Sequence, residues 1–206
     1  MKLDLTKIHP TYYRARMKPR IDEYSAFNYL TIQGQSAPED EQFNKALKTI
    51  YKFAYGIKAH YKNHGKDFVV PKLEGQWWID GDPSLFDKVP RNEWYWRLLI
   101  MVPEFVAIEI FKQVRKTIFE KYPSSNANDV LFKKIQFGKC INVLHIGSYE
   151  EEKESIGKII AALEEEQYQI NGPHHEIYLS DPRRTPAWKL KTIIRYPIKE
   201  MKVIVN

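Results

Sequence analysis

The chain has very little cysteine and no long apolar run. Its single cysteine, Cys140, excludes a framework of disulfides and is typical of a protein from a reducing compartment. The longest apolar stretches, such as Leu98–Val102, are far shorter than the roughly 20 residues that a membrane-spanning helix needs. The N-terminal residues contain no apolar core of a signal peptide. We therefore expect a cytoplasmic protein that does not enter a membrane.

The usual motifs of metal, phosphate and nucleophile chemistry are also missing. The sequence contains no HExxH, CxxC or EF-hand pattern, no GxSxG motif and no glycine-rich phosphate loop. His60 and His64 have a spacing that suits a metal on a helix, but glycine and asparagine beside them indicate a fraying helix. His174 and His175 are neighbours in a predicted strand and point to opposite faces. We expect no metal and no cofactor.

Positive charge and aromatic rings are what the chain has in excess. Lysine and arginine number 32 against 26 acidic residues, a formal net charge of +6, which permits an anionic partner without requiring one. Aromatic residues make up 14% of the chain, which indicates a stacking platform for bases, an aromatic-lined pocket or a tyrosine-rich core. The sequence has no helix-turn-helix and no basic recognition helix, so we expect no direct DNA binding.

Periodicity divides the sequence into an N-terminal arm and a domain of two modules. Residues 1–22 are polar and basic and predict an arm, which could grip phosphate but is more typical of a solvated segment. Residues 23–206 predict a single domain. Its first module, residues 23–102, contains predicted strands at Tyr24–Gly34, Val69–Ile79 and Trp94–Val102 and an amphipathic helix at Glu39–His60.

The second half repeats this order of elements. A connecting helix is predicted over residues 103–122 and an extra strand at Val130–Phe137. The second module, residues 130–198, contains predicted strands at Lys139–Gly147, Gly172–Ser180 and Leu190–Tyr196 and a helix at Glu150–Glu166. The sequence thus predicts an α+β fold of duplicated strand–helix–strand–strand modules with pseudo-twofold symmetry around a central ligand groove.

Strand parity predicts which side chains face that groove. The more apolar set of Gly172–Ser180, expected under the helix, is His175, Ile177 and Leu179. His174, Glu176 and Tyr178 would then face the groove, unless the acid simply stands in water on an open sheet face. The duplication pairs Trp78 with Tyr178 and Gln76 with Glu176. Trp96 shares a face with Trp94 and predicts either a further wall or core packing.

Three stretches of the sequence are distinctive. Residues 71–78 read Pro-Lys-Leu-Glu-Gly-Gln-Trp-Trp, residues 144–152 read Leu-His-Ile-Gly-Ser-Tyr-Glu-Glu-Glu, and residues 174–184 read His-His-Glu-Ile-Tyr-Leu-Ser-Asp-Pro-Arg-Arg. Together they resemble the GyrI-like small-molecule-binding family in its stand-alone branch. Lys72 is inserted relative to that branch, and Gln76 and Ser148 replace a leucine and a proline. The likeness extends from about Tyr24 to Ile198.

The resemblance implies a site between the modules for lipophilic, often cationic or aromatic compounds, with Glu176 as its acid. Some stand-alone members hydrolyse cyclopropane-containing DNA-alkylating compounds, which implies that Glu176 orients or deprotonates water. Tyr178 or Glu104 would donate a hydrogen bond to the oxygen that gains charge. The residues expected to bind the ligand are Trp77, Trp78, Glu74, Gln76, Trp96, His145 and His174.

Several functions stay open on the sequence alone. The first is a hydrolase that detoxifies reactive cyclopropane compounds, and the second is a non-catalytic drug-binding sensor that acts in transcriptional regulation through a partner. The third is a protein that binds another protein such as gyrase. The basic charge of the chain argues against binding by mimicry of DNA, which would need an acidic surface. A nucleic-acid binder would reveal itself by affinity that falls steeply with salt. The oligomeric state is left open.

Overall fold

The computed structural model of the chain describes residues 2–201, apart from the side chain of Asp87. The α-helices of this range are α1 (Leu5–Ile8), α2 (Pro10–Tyr13), α3 (Glu41–Asn63), α4 (Ile108–Lys121) and α5 (Glu152–Glu165). The strands are β1 (Arg20–Gln35), β2 (Leu73–Trp78), β3 (Tyr95–Val102), β4 (Leu131–Ile146), β5 (Tyr168–Ile170), β6 (His174–Tyr178) and β7 (Lys191–Glu200). Residue 1 of the predicted arm and residues 202–206 of the predicted domain lie outside the described residues. No helix within the described range is both long and apolar enough to span a membrane.

The chain divides into two units, and each contains helices and antiparallel strand pairs. Unit 1 comprises residues 2–8 and Phe27–Ile135, and unit 2 comprises His9–Ala26 and residues 136–201. Both contain antiparallel strand pairs, so the predicted α+β class is confirmed. The predicted pseudo-twofold symmetry and central groove stay predictions.

Residues 2–22 differ from the solvated arm that the sequence predicts. They form α1 and α2 and the beginning of β1. Tyr12 and Tyr13 are buried, and the Leu144 N–H donates to the carbonyl of Arg16 at 2.8 Å. The segment is basic, but its tyrosines and leucine supply apolar surface, and burying that surface outweighs the preference of its charges for water.

Unit 1 packs a three-stranded antiparallel sheet against α3 and α4. β3 is the central strand, with Tyr29 of β1 opposite Met101 and Leu73 of β2 opposite Ile100. α3 follows the predicted periodicity and buries its apolar stripe on this sheet. Each fully buried Leu, Ile or Phe of this core contributes about 1.5–3 kcal/mol relative to leaving it in water.

The chain between β3 and α4 forms a turn where a helix is predicted from residue 103. α4 begins at Ile108, and the Tyr61 hydroxyl fixes the turn before it. This hydroxyl donates to the carbonyl of Phe105 and accepts from the N–H of Ala107, both at 2.9 Å. Glu104 therefore lies in the turn and is exposed, so it is not an early helix residue as expected.

Unit 2 has β7 at the centre of its sheet, paired with β4 on one side and with β6 and β5 on the other. α5 covers one face, where its Ile159 and Leu163 pack with Ile194 and Ile198 of β7. The predicted strand ends at Tyr196, before Pro197, whereas β7 continues through this proline to Glu200. Proline lacks only a donor, and its carbonyl still accepts from the N–H of Asn171 at 2.8 Å.

β4 is one long strand where the sequence predicts two. Gly138 separates the predicted pieces and has a φ of +64°, a left-handed conformation that glycine adopts without a steric penalty. The strand therefore continues past this residue instead of ending there. β5 is too short to leave a periodic signal, and it was not predicted.

Candidate functional site

Two carboxylates and one imidazole meet on one side of unit 2, and we call them the Glu–His–Glu cluster (Glu152, His174 and Glu176). The His174 Nε2 atom is 2.9 Å from Glu176 Oε1 and 3.4 Å from Glu152 Oε2. Glu152 and Glu176 are only 6% and 8% exposed, and the His174 side chain is 13% exposed. The three ionisable side chains are thus almost completely removed from water, and His174 is the most exposed of them.

Local structure explains why these side chains meet. Positions two apart on a strand share a face, so β6 presents His174 and Glu176 side by side. A capping box starts the helical segment opposite them: the Ser148 N–H donates to the Glu151 carboxylate at 2.9 Å. This cap sets the start of α5 and places Glu152 at its first residue.

A tyrosine of β7 holds the far side of the histidine ring. The Tyr196 hydroxyl lies 2.6 Å from His174 Nδ1, and the two rings pack edge to face with centroids 5.2 Å apart. Tyr196 belongs to the apolar core under α5 and is 9% exposed. The core therefore anchors the hydroxyl, and the hydroxyl orients the imidazole so that Nε2 faces the carboxylates.

Burial and mutual charge set the protonation of the Glu–His–Glu cluster. Burial, and then the charge of Glu176, raise the pKa of Glu152 to about 7. Burial alone would lower the pKa of His174, but Tyr196 and the two carboxylates raise it well above its usual value. His174 therefore holds its proton more tightly than an ordinary histidine, and Glu152 holds its proton more tightly than an ordinary carboxylate. With both carboxylates ionised, the cluster carries a net negative charge.

Two tyrosine rings border the cluster. Tyr149 and Tyr178 pack edge to face with centroids 6.0 Å apart. Burial, followed by the charges of Glu176 and Glu152, raises the pKa of Tyr149 to about 12. Its hydroxyl therefore stays protonated at neutral pH and can donate a hydrogen bond.

The face of β6 that carries Glu176 is the one covered by α5, opposite to the prediction. Glu176 lies directly across from Ile194, which packs under Ile159 of the helix. The expectation that His175, Ile177 and Leu179 lie under the helix is therefore wrong. The physical reason is that the first turn of α5 is acidic and reaches the strand through Glu152, so a polar pair fits beneath it.

Unit 1 has the opposite arrangement on its corresponding strand. Gly75 and Trp77 lie opposite Leu98 and Trp96, which belong to the core under α3, so Gln76 points away from the helices. The predicted pairing of Gln76 with Glu176, and of Trp78 with Tyr178, joins residues on different faces and is not supported. A one-residue change of register exchanges the two faces of a strand and leaves the order of elements along the sequence unchanged.

The face of unit 1 that points away from α3 holds three of the predicted binding residues, Glu74, Gln76 and Trp78. Trp78 stacks on Tyr95 with ring centroids 5.7 Å apart, and the Arg97 guanidinium lies 5.5 Å from the Trp78 ring centre. Arg97 also donates to Gln76 Oε1 at 3.1 Å. Glu74 is fully buried.

The remaining residues that were predicted to bind the ligand make contacts within their own units, and their role in binding stays a prediction. Trp77 stacks on Phe43 within the core of unit 1, and the Trp96 Nε1–H donates to Ser36 Oγ at 3.0 Å while its ring is 1% exposed. In unit 2 the His145 ring is hydrogen-bonded at both nitrogens, to Ser155 Oγ and the Ser148 carbonyl. His145 also lines a separate cavity of about 380 Å³.

Sequence reasoning missed Glu152, Tyr196 and Tyr149. Glu152 belongs to an acidic first turn, which the helix dipole alone explains, so nothing in the sequence distinguishes it from Glu150 or Glu151. Tyr196 meets His174 only through strand pairing. The one available signal was that Tyr149 and Glu152 both fall within the second of the distinctive stretches.

Residues 17–199 match a family described as the GyrI-like small molecule binding domain. Two crystal structures from Listeria innocua are similar over nearly the whole chain. An uncharacterized conserved protein is 31% identical with a TM-score of 0.89, covering 96% of this chain and 100% of that one. A hydrolase is 30% identical with a TM-score of 0.85, at the same coverage.

A more distant likeness shows the fold alone. The C-terminal domain of EcmrR is 12% identical with a TM-score of 0.56, covering 89% of this chain and 98% of that one. No curated protein matches the chain.

Proposed function

Because the chain belongs to the GyrI-like family of small-molecule-binding domains, we propose that it binds lipophilic aromatic or cationic compounds at the Glu–His–Glu cluster of unit 2. The observation that supports this site is a buried pair of carboxylates around one imidazole, beside the rings of Tyr149 and Tyr178. A cation is attracted more strongly there than in water because the local dielectric is low. The ring faces add a cation–π attraction and an apolar contact.

Within unit 1, taken by itself, Trp78 offers a separate proposed stacking surface. Its ring is half-buried and lies nearly parallel to Tyr95, with an interplanar angle of 11°. Such a ring pair presents a flat apolar surface on which an aromatic compound can stack.

The binding proposal is tested by calorimetry with a flat aromatic cation such as ethidium and with an uncharged aromatic of similar size. We expect Glu176→Gln to weaken ethidium binding by about tenfold, which corresponds to the loss of one close charge. Glu154→Gln is the matched control, since Glu154 is an exposed acid on α5 that pairs with Lys158. Equal affinity of both variants, or equal affinity of the wild type for both compounds, would contradict the proposed site.

Hydrolysis is a second candidate function, favoured by the relative named a hydrolase, which is 30% identical over 96% of this chain. On this proposal Glu176 accepts a proton from water as the water oxygen attacks a carbon of a strained cyclopropane. The ring bond to that carbon breaks, and its electron pair moves to a conjugated carbonyl oxygen. Tyr178 or Tyr149 donates a hydrogen bond to that oxygen, which finally takes up a proton. Such a reaction would detoxify an alkylating compound. We do not retain Glu104 in this role, because it is exposed.

Mass spectrometry separates the two candidates. The protein is incubated with a cyclopropane-bearing alkylating compound, and the product that has gained one water is counted per enzyme. We expect many turnovers in the wild type and in Glu154→Gln and none above background in Glu176→Gln. Saturable binding without turnover would leave a non-catalytic binder, such as a sensor that acts in transcriptional regulation through a partner.

A further inference from the structure

The geometry of the Glu–His–Glu cluster matches that of a metal site. Each residue offers one ligand atom, and the three atoms lie within 4.8 Å of one another. The two separations that involve His174 Nε2 are 2.9 and 3.4 Å. Ligand atoms around a tetrahedral Zn²⁺ with bonds of about 2.1 Å lie about 3.4 Å apart. Small shifts of these side chains would therefore accommodate an ion.

A second observation points to a cation at the same place. Glu152 is 94% buried, since 6% of it is exposed, and its Oε1 atom has no hydrogen-bond partner among the described residues. A buried carboxylate oxygen without a partner is costly, and coordination to a cation would satisfy it. Two neighbouring buried carboxylates repel each other when both are ionised. A divalent ion neutralises this pair more completely than the single positive charge of an imidazolium.

The surroundings of His174 are those of a metal-ligating histidine. Such a histidine usually has its second ring nitrogen hydrogen-bonded to a neighbouring group, which fixes the tautomer and the ring orientation. Here the Tyr196 hydroxyl lies 2.6 Å from Nδ1, and the apolar core holds the tyrosine in place. Nε2 is thereby directed toward Glu152 and Glu176.

We propose that Glu152, His174 and Glu176 bind one divalent transition-metal ion, with Zn²⁺ as the best fit. One imidazole and two carboxylates suit Zn²⁺, Co²⁺ and Mn²⁺, whereas Ca²⁺ and Mg²⁺ take oxygen ligands and a larger set of them. The ion replaces the proton on Nε2. Three protein ligands leave the fourth tetrahedral position for water, which is the pattern of catalytic zinc sites and not of structural ones. The inference goes beyond the proposed function and concerns the same three side chains, so an ion bound there would compete with a cationic ligand.

The test is calorimetric titration of ZnCl₂ into the full chain, free of any histidine tag and treated with a chelator beforehand. We expect one equivalent of Zn²⁺ to bind to the wild type and to the control Glu154→Gln. Glu152→Gln and Glu176→Gln each remove a carboxylate ligand. Each should weaken Zn²⁺ binding by more than about tenfold, because the loss of a residue that only supports a ligand already weakens metal binding by about tenfold or more. Tyr196→Phe should weaken it by about tenfold through lost orientation of His174. Thermal melts of each variant check that it is folded.

A second readout reports on the ligand geometry itself. Co²⁺ in a four-coordinate site absorbs visible light far more strongly than aqueous Co²⁺, so the wild type should gain this absorption and Glu152→Gln should lose it. Failure of folded wild type to bind Zn²⁺, or binding unchanged in both ligand variants, would overturn the inference. Ethidium titrations of the same metal-free samples keep the two ideas apart, since ethidium binding without Zn²⁺ binding leaves the proposed function standing.

Discussion

A fully buried arginine organises the side of the unit 2 sheet that faces away from α5. Arg195 Nε donates to Asn142 Oδ1 at 2.6 Å, and one of its terminal nitrogens donates to the Tyr12 carbonyl at 2.8 Å. The guanidinium carbon lies 4.1 Å from the ring centres of both Tyr12 and Tyr24. Arginine suits this place because its planar group can stack on rings while it donates in its own plane. The N-terminal segment is thereby tied to the sheet.

Replacing this arginine is expected to destabilise the protein strongly. Arg195→Met keeps most of the side-chain length but leaves Asn142 Oδ1 and the Tyr12 carbonyl without their donor in a buried place. We expect a loss of about 3 kcal/mol in the free energy of unfolding. Urea unfolding measures it, with Arg183→Met as control because that side chain is 88% exposed and pairs with Asp181 at the surface. A loss no greater than that of the control would show that Arg195 contributes little.

The ion pair between Lys58 and Asp67 gives unit 1 an acid-sensitive contact. The hydrogen bond from Lys58 is the main reason that the pKa of Asp67 is lowered from its usual value. Lys58 also donates to the carbonyl of Phe68, so the pair ties α3 to the chain before β2. A carboxyl whose pKa is lower when folded stabilises the protein above its unfolded pKa of about 3.9 and loses this effect as the pH falls.

Asp67→Asn should therefore have an effect that depends on pH. We expect the variant to unfold at lower urea concentration than the wild type at pH 7, and the difference to shrink between about pH 5 and pH 2. Urea midpoints measured across this range decide the matter. A difference that stays constant with pH would mean that the charge of Asp67 is not what stabilises the contact.

At the scale of elements, α3 and α4 approach closely at a glycine. A Cβ atom on Gly56 would lie 2.8 Å from Val114 Cγ1, closer than real Cβ contacts. Valine is β-branched and stiff at χ1, so it cannot easily turn aside within a helix. Helix propensity alone would make Gly56→Ala stabilising by about 1 kcal/mol, and the packing argues for the opposite sign.

We expect Gly56→Ala to cost about 1–2 kcal/mol, the usual penalty for overpacking a core contact. Combined with Val114→Ala, which removes the clashing methyl groups, the same change should become neutral or stabilising. Chemical unfolding of both single variants and the double variant gives the coupling energy. Additive effects would show that the helices separate freely at this point.

The elements that the sequence predicted well are those with a strong local signal. α3 has apolar residues at helical spacing over its whole length, and the structure differs from the predicted bounds by only a few residues. The sequence predicts that this strand ends before Pro197, because proline is a local stop signal. β7 continues through the proline, since the effect of proline in a sheet depends on whether the neighbouring strand needs its missing N–H. β5 owes its existence to pairing with β7, a contact that no local pattern encodes.

Local sequence patterns predict only the part of the candidate site that lies on one strand. That His174 and Glu176 share a face follows from strand periodicity alone. Which face the helix covers depends on how α5 docks, and Glu176 proved to lie beneath it. Glu152 and Tyr196 reach His174 from other elements, through packing that connects distant parts of the sequence.

At the scale of the whole molecule, the charge of the chain and the charge of the site have opposite signs. The chain carries a formal net charge of +6, whereas the Glu–His–Glu cluster is negative when both carboxylates are ionised. Exposed charges act over a Debye length of about 8–10 Å at physiological salt, and partly buried groups are screened far less. The two charges should therefore respond differently to salt.

This difference distinguishes a small-molecule binder from a nucleic-acid binder. A protein that neutralises many phosphates loses about 10³-fold or more in affinity between about 50 and 200 mM salt. We expect the affinity for ethidium to change by less than about threefold over this range, because salt weakens the repulsion from the net charge and barely affects the buried attraction. Calorimetry at several NaCl concentrations measures this, and a fluorescein-labelled DNA duplex serves as the comparison. Ethidium affinity that falls steeply with salt would place its binding on the exposed surface instead of the buried cluster, and tight, salt-sensitive binding of the duplex would overturn the expectation of no direct DNA binding.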